Sequence, residues 1–235
     1  KMNLRSEITS YHSPKMPNVN FHYLQERLEL FINYSAITLL KMYNIMLHEG
    51  NQNNFNYDMK MFDNVMEYLE KSEFIDNPTL EIYYNIAKLE KTKDEKYFYI
   101  LKDLRKKYRD KLTEFDNYML YLHMDSFCAT EFNDFCRTDL LKEQFELVKE
   151  NLMFEISGMR KILYPDFLNE VKKAARVNEF EYAENYIEKF KERLTEEKEN
   201  TLNFCYGYIS SQKGEPDKAL DYFSRTNFSN FIIKI

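Results

Sequence analysis

The sequence predicts an all-α chain assembled from helical hairpins, and three observations carry that reading. Apolar residues recur at helical steps, as in Phe62, Val65, Met66 and Leu69, which fall on a single stripe. Backbone breakers are scarce: four glycines and five prolines in 235 residues suit long helices joined by short links better than a turn-rich β fold. Finally, a unit recurs near the C-terminal end, where Ala183 and Ala219 stand 36 residues apart.

Taken in order, residues 1–20 are polar and carry Pro14 and Pro17, and are expected to form a flexible lead-in. Helical signals start at Phe21. Further stripes follow at Leu101, Leu104, Tyr108 and Leu112, at Leu141, Phe145, Val148 and Leu152, and at Phe180, Ala183, Tyr186, Ile187 and Phe190. The strict alternation of a half-buried strand is not sustained anywhere. Helices are expected at 21–48 (with a break near Asn33), 57–71, 78–91, 94–112, 114–133, 138–154, 165–177, 179–194, 196–213 and 216–226.

Punctuation falls between these stripes. Asn77-Pro78 reads as an N-cap followed by proline at the first helical position, where a missing N–H costs nothing. Thr113 and Asp116 form a capping pair, and Pro165-Asp166 and Glu215-Pro216-Asp217 look like helix starts with acids favourably placed for the dipole. The Asn- and Gly-containing stretch from Glu49 to Asn56 is expected to be a loop.

The segment from Asn200 to Arg225, NTLNFCYGYISSQKGEPDKALDYFSR, resembles the tetratricopeptide repeat in register. Gly207 holds the small position of its first helix, Gly214 the turn, Ala219 the small position of its second helix and Phe223 the following aromatic. One unit earlier, ARVNEFEYAENYIEKF (Ala175 to Phe190) repeats the second half: Asn178 stands for Gly214, Ala183 for Ala219 and Ile187 for Phe223. Val171 departs from the pattern at the small position of that unit. Pro78 to Leu104 keeps the two-helix form with Ala87 as the small residue and Tyr99 in place of the second one. From Asn56 onward, YDMKMFDNVMEYLEK, IDNPTLEIYYNIA, NEFEYAENYIEKF and EPDKALDYFSR resemble a group of uncharacterised bacterial proteins with degenerate tetratricopeptide-like helices. The resemblance implies an α-solenoid of antiparallel helical hairpins over 21–235, about five in all. It also implies a further helix after the apolar finish Phe231 to Ile235, so that the chain is expected to be a fragment that continues beyond 235 or to self-associate through that end.

Composition narrows the function. Hydrophobic content of 44% and aromatic content of 16% describe an ordered chain. A net charge of −6 argues against nucleic acid as the main partner. A mean hydropathy of −0.64 and the shortness of the best apolar run, Ser35 to Leu40, argue against a membrane span, and a cytoplasmic location is expected. Cys128, Cys136 and Cys205 lack CxxC spacing and read as reduced thiols on buried helix faces.

No catalytic constellation is visible, and the chain is not expected to be an enzyme. His12, His22, His48 and His123 are too scattered for a metal cluster, and His123, Asp125 and Cys128 read as helix packing rather than as a zinc site. Neither metal nor cofactor is expected. Lys102, Arg105, Lys106, Lys107, Arg109 and Lys111 crowd one helix, but Asp103 and Asp110 interrupt them and a solvated face is the simplest reading.

Solenoids of this type line a concave groove with the first helix of each hairpin. Counting from Ala87, Ala183 and Gly207 places Tyr84, Lys88, Lys91, Lys172, Arg176, Phe204, Tyr208 and Gln212 on that inner face. Aromatic and cationic side chains together suit an acidic or extended peptide. The resemblance thus implies a protein–protein interaction scaffold. The alternative is the sensing or dimerising part of a transcriptional regulator whose DNA-binding domain lies outside this chain.

Overall fold

The computed structural model describes residues 22–71, 77–151, 161–194 and 196–228. The lead-in at 1–20 and the apolar finish at 231–235 lie outside them. Among the described residues the chain is all-α, with ten helices: α1 (His22–Asn53), α2 (Phe62–Lys71), α3 (Pro78–Thr92), α4 (Glu95–Tyr108), α5 (Glu114–Phe135), α6 (Thr138–Asn151), α7 (Tyr164–Arg176), α8 (Phe180–Phe190), α9 (Lys198–Gln212) and α10 (Pro216–Ser224). Extended pairing among these residues is limited to a single bridge between Ile162 and Leu194.

Helix starts follow the side chains that cap them. The Asn77 carboxamide accepts from the Leu80 N–H, with Pro78 next in line, and the Thr113 hydroxyl accepts from the Asp116 N–H, as the sequence predicts. Asp94 caps α4 in the same way through the Lys96 N–H. The 21–48 expectation needs correction: α1 runs unbroken through Asn33 to Asn53 and turns only at Asn54, whose φ is +51°. Gly50 permits that turn. The Phe55 N–H donates to the Gly50 carbonyl, and a Cβ on Gly50 would lie 2.6 Å from the Phe55 carbonyl oxygen.

The pairs α3/α4, α5/α6, α7/α8 and α9/α10 each pack together across a very short link. All four links share one construction. A left-handed residue (Lys93, Cys136, Asn178 or Gly214) ends the first helix, and the second starts two positions later. In the last two links even the backbone hydrogen bonds correspond. Glu179 N donates to Ala174 O as Glu215 N does to Ser210 O, and Ala183 N donates to Glu179 O as Ala219 N does to Glu215 O. The 36-residue spacing read from the sequence is therefore a spacing of identical turns. Within the last pair Gly207 opposes the ring of Phe223, and Ala219 is buried.

Burial divides into two apolar clusters. The first is built by α1 to α6 around Leu40, Tyr83, Ile86, Phe98, Leu120 and Met124; the second by α7 to α9, with Phe145 of α6, around Phe167, Val171, Ala183, Ile187, Phe190 and Cys205. Fully burying a large apolar side chain contributes about 1.5–3 kcal/mol, so these clusters hold the helices together. Between them runs a polar seam from α5 to α7. Lys173 donates to Glu170 at 2.8 Å, to the Tyr121 hydroxyl at 3.1 Å and pairs with Asp125 at 2.9 Å, while Tyr121 donates to Glu170.

Helix α1 belongs to the first cluster through its C-terminal half, where Ala36, Leu40 and Tyr43 are buried. Asn44 donates to the Tyr83 carbonyl, and Lys41 pairs with Asp116 at 2.8 Å, fixing α1 to α3 and α5. Its N-terminal half exposes Leu24, Leu28, Leu30, Phe31 and Tyr34. By length and composition alone the stretch Tyr23–Asn53 is long and apolar enough to cross a membrane. This corrects the expectation that no stretch qualifies: over an 18-residue window the Leu, Ile and Met content outweighs Lys41 and the uncharged polar residues that interrupt the run.

Two smaller expectations also change. Cys128 and Cys205 are buried, whereas Cys136 is exposed because it occupies a turn rather than a helix face. The basic helix α4 is not simply solvated: Arg105 is buried and pairs with Glu150 at 3.1 Å, and Lys102 pairs with Glu143. Lys106, Lys107, Arg109 and Lys111 are exposed, as a solvated face requires.

Candidate functional site

Helices α5, α6 and α7 enclose a cleft of about 180 Å³ beside the polar seam. Its walls are Asp125, Ala129 and Asn133 from α5, Gln144 from α6, and Asn169, Lys172, Lys173 and Arg176 from α7. The α7 residues reach it because positions 169, 172, 173 and 176 follow the three- and four-residue steps of one helix face. The opposite face of α7 carries Leu168, Val171 and Ala175 into the second cluster.

Asp125 is tied to Lys173 at 2.9 Å and accepts from Gln144 at 3.1 Å. Burial pulls the Lys173 pKa down, but Glu170, Asp125 and Tyr121 outweigh it and hold the ammonium well above the usual lysine range. Burial raises the pKa of Glu170. Lys172 is pulled below its ordinary value, first by burial and then by the positive charge of Arg176. Arg176 lies over the Phe132 ring at 5.1 Å and donates from Nε to the Tyr208 hydroxyl at 3.2 Å. Among the described residues that line the cleft, three are cations and one is a carboxylate.

The eight residues predicted for a concave face divide into two groups. Lys172 and Arg176 line the cleft, and Tyr208 is drawn to it by Arg176. Phe204, buried, stacks on Tyr208 with ring centroids 6.2 Å apart, while Gln212 at the end of α9 is exposed. The other three face α2: the Tyr84 hydroxyl and Lys88 both donate to Glu70, and Lys91 pairs with Asp63 at 2.6 Å over the Phe62 ring. The carboxylates of α2 neutralise both of these lysines.

A second polar cluster lies inside the first core. Both His48 of α1 and His123 of α5 direct Nδ1 at the same oxygen of Glu90 in α3, Oε1, at 3.2 and 2.7 Å. The imidazole rings meet edge to face with centroids 5.1 Å apart. Glu90's other oxygen accepts from Asn51 at 2.8 Å and from Lys93 at 2.9 Å, and Gln52 pairs with His48 Nε2 at 2.9 Å. Burial opposes the Glu90 charge, yet the hydrogen bonds from His123 and His48, with the charge of Lys93, hold its pKa far below the usual carboxylate range. His123, whose side chain is 0% exposed, is pushed below the ordinary histidine value by burial, against the pull of Glu90.

The histidines are therefore not all scattered, as sequence spacing suggests. His48 and His123 converge because they lie on neighbouring helices, at 42 and 33 positions from Glu90. His12 and the side chain of His22 lie outside the described residues. Asp125 and Cys128, grouped with His123 in the sequence, go elsewhere: Asp125 faces the cleft and Cys128 the core. Asp125, Asn169 and Lys173 were absent from the predicted face, and no periodicity distinguishes them from ordinary helix surface.

Comparison with known proteins identifies no relative. No protein-family model, curated protein or solved structure matches the chain.

Proposed function

We propose that this chain is a non-enzymatic interaction scaffold, a tetratricopeptide-type solenoid of helical hairpins that grips an acidic segment of another protein at the α5–α6–α7 cleft. The recurring left-handed turn, with its 36-residue spacing in the last two hairpins, supports the solenoid reading. One observation carries the binding reading: Lys172 and Arg176, one turn apart, line a cleft in which Asp125, the carboxylate among the described lining residues, is tied to Lys173. An incoming carboxylate there gains charge-assisted hydrogen bonds and relieves the mutual repulsion of the two cations. At about 180 Å³ the space is smaller and more polar than the roughly 300–1,000 Å³ of typical small-molecule pockets. It suits one side chain of an extended peptide better than a cofactor. Exposed parts of α9 beyond Tyr208 extend the surface for flanking residues.

The test is fluorescence anisotropy with labelled Glu- and Asp-rich peptides and their Gln and Asn counterparts. Acidic peptides are expected to bind more tightly, more weakly as salt rises, and at least about tenfold more weakly to Arg176→Gln at unchanged thermal stability. Equal binding of acidic and neutral peptides, or an unaffected variant, would overturn the reading.

A further inference from the structure

We propose that His48, Glu90 and His123 form a binding site for one divalent transition-metal ion of zinc type, joining α1, α3 and α5 inside the first core. Their donor atoms lie within 4.8 Å of one another. Metal–ligand bonds of about 2.0–2.2 Å at tetrahedral angles put ligand atoms roughly 3.3–3.5 Å apart, so the two Nδ1···Oε1 separations of 2.7 and 3.2 Å need only a small opening. Two imidazoles and one carboxylate are a donor set favoured by zinc, cobalt and nickel over magnesium or calcium.

The remaining polar atoms are arranged as a supporting layer. Asn51 and Lys93 occupy Oε2 of Glu90, leaving Oε1 as the ligand. The fourth position falls to water. An ion enters from the C-terminal end of α3, where the Lys93 side chain is 42% exposed and that of His48 is 11% exposed.

Cobalt(II) titrated into the full chain tests this directly, followed by visible absorption and by equilibrium dialysis against zinc. One ion per chain, with the strong visible bands of low-coordinate cobalt, is expected, together with a melting temperature that rises with zinc concentration. His48→Gln lies at the partly exposed edge and is expected to weaken binding by about 100-fold or more. Should that variant not fold, nitrogen-15 NMR of the intact protein decides: on zinc addition the resonances of two of the four histidines shift. Absence of binding at micromolar metal, weak bands of six-coordinate cobalt, unchanged affinity in both His48→Gln and Glu90→Gln, or unmoved histidine resonances would each overturn the proposal.

Discussion

The ring of Phe223 lies across Gly207 so closely that a Cβ on the glycine would sit 2.7 Å from Phe223 Cε1. The last helical hairpin closes because residue 207 has no side chain. Gly207→Ala is expected to cost about 1–3 kcal/mol as ring and helix move apart. Phe223→Leu in the same chain should recover part of that loss by freeing space. Urea denaturation of the wild type and the two variants checks both, and an unchanged midpoint in Gly207→Ala would contradict the packing.

The shared turn predicts effects of opposite sign at two of its members. Gly214 has φ of +74° and open space around it, so Gly214→Val is penalised by backbone strain alone, about 1–2 kcal/mol. Cys136 bears the same strain at φ +56°, with an exposed side chain. Cys136→Gly is therefore expected to stabilise by up to about 1 kcal/mol, less than the full relief because glycine loosens the unfolded chain. Thermal melts of both variants read the signs.

Acidification should destabilise the protein in two stages. His123 has a folded pKa below its ordinary 6.5, because burial disfavours the charged ring. Below pH 6.5 the unfolded chain takes up a proton that the folded chain resists, so stability falls as pH falls, by at most about 1.4 kcal/mol per unit. Glu90, whose folded pKa is depressed, adds a second loss as pH drops below 4.5, where the unfolded carboxylate begins to protonate. His123→Gln should flatten the upper stage and also reduce the lower one, because His123 helps to hold the Glu90 pKa down. Denaturation midpoints measured from pH 8 to 4 separate them, and a flat wild-type profile near pH 6 would refute the assignment.

Lys173 is a largely enclosed cation in the seam between the two apolar clusters, with a side chain 11% exposed. Lys173→Met leaves Glu170 and Asp125 facing each other without compensation and is expected to cost about 3–5 kcal/mol. Lys213→Met breaks a more exposed pair with Glu184 and should cost at most about 1 kcal/mol. Comparable losses in the two variants, by chemical denaturation, would count against the seam as a structural joint.

Much of the helical framework was legible in the residues. Asn77-Pro78, Thr113 with Asp116 and Pro216 marked helix starts through local chemistry, and Asn178 and Gly214 marked left-handed turns because those residue types tolerate them. Lys93 and Cys136 hold the same conformation, yet neither type signals it, so those two hairpin turns carried no recurring mark. The break expected near Asn33 failed because a packed helix tolerates one asparagine at little cost.

Helices, their caps and the small residues at Gly207 and Ala219 depend on neighbours within a few turns, and the sequence by itself determined them. Which carboxylate meets which histidine depends on the order in which helices stack, which periodicity does not encode. Only the tertiary structure joined His48, Glu90 and His123, turned Tyr84, Lys88 and Lys91 toward α2, and left Lys172 and Arg176 beside an open cleft. Polar residues on different helices acquire partners only once apolar burial has brought their helices together.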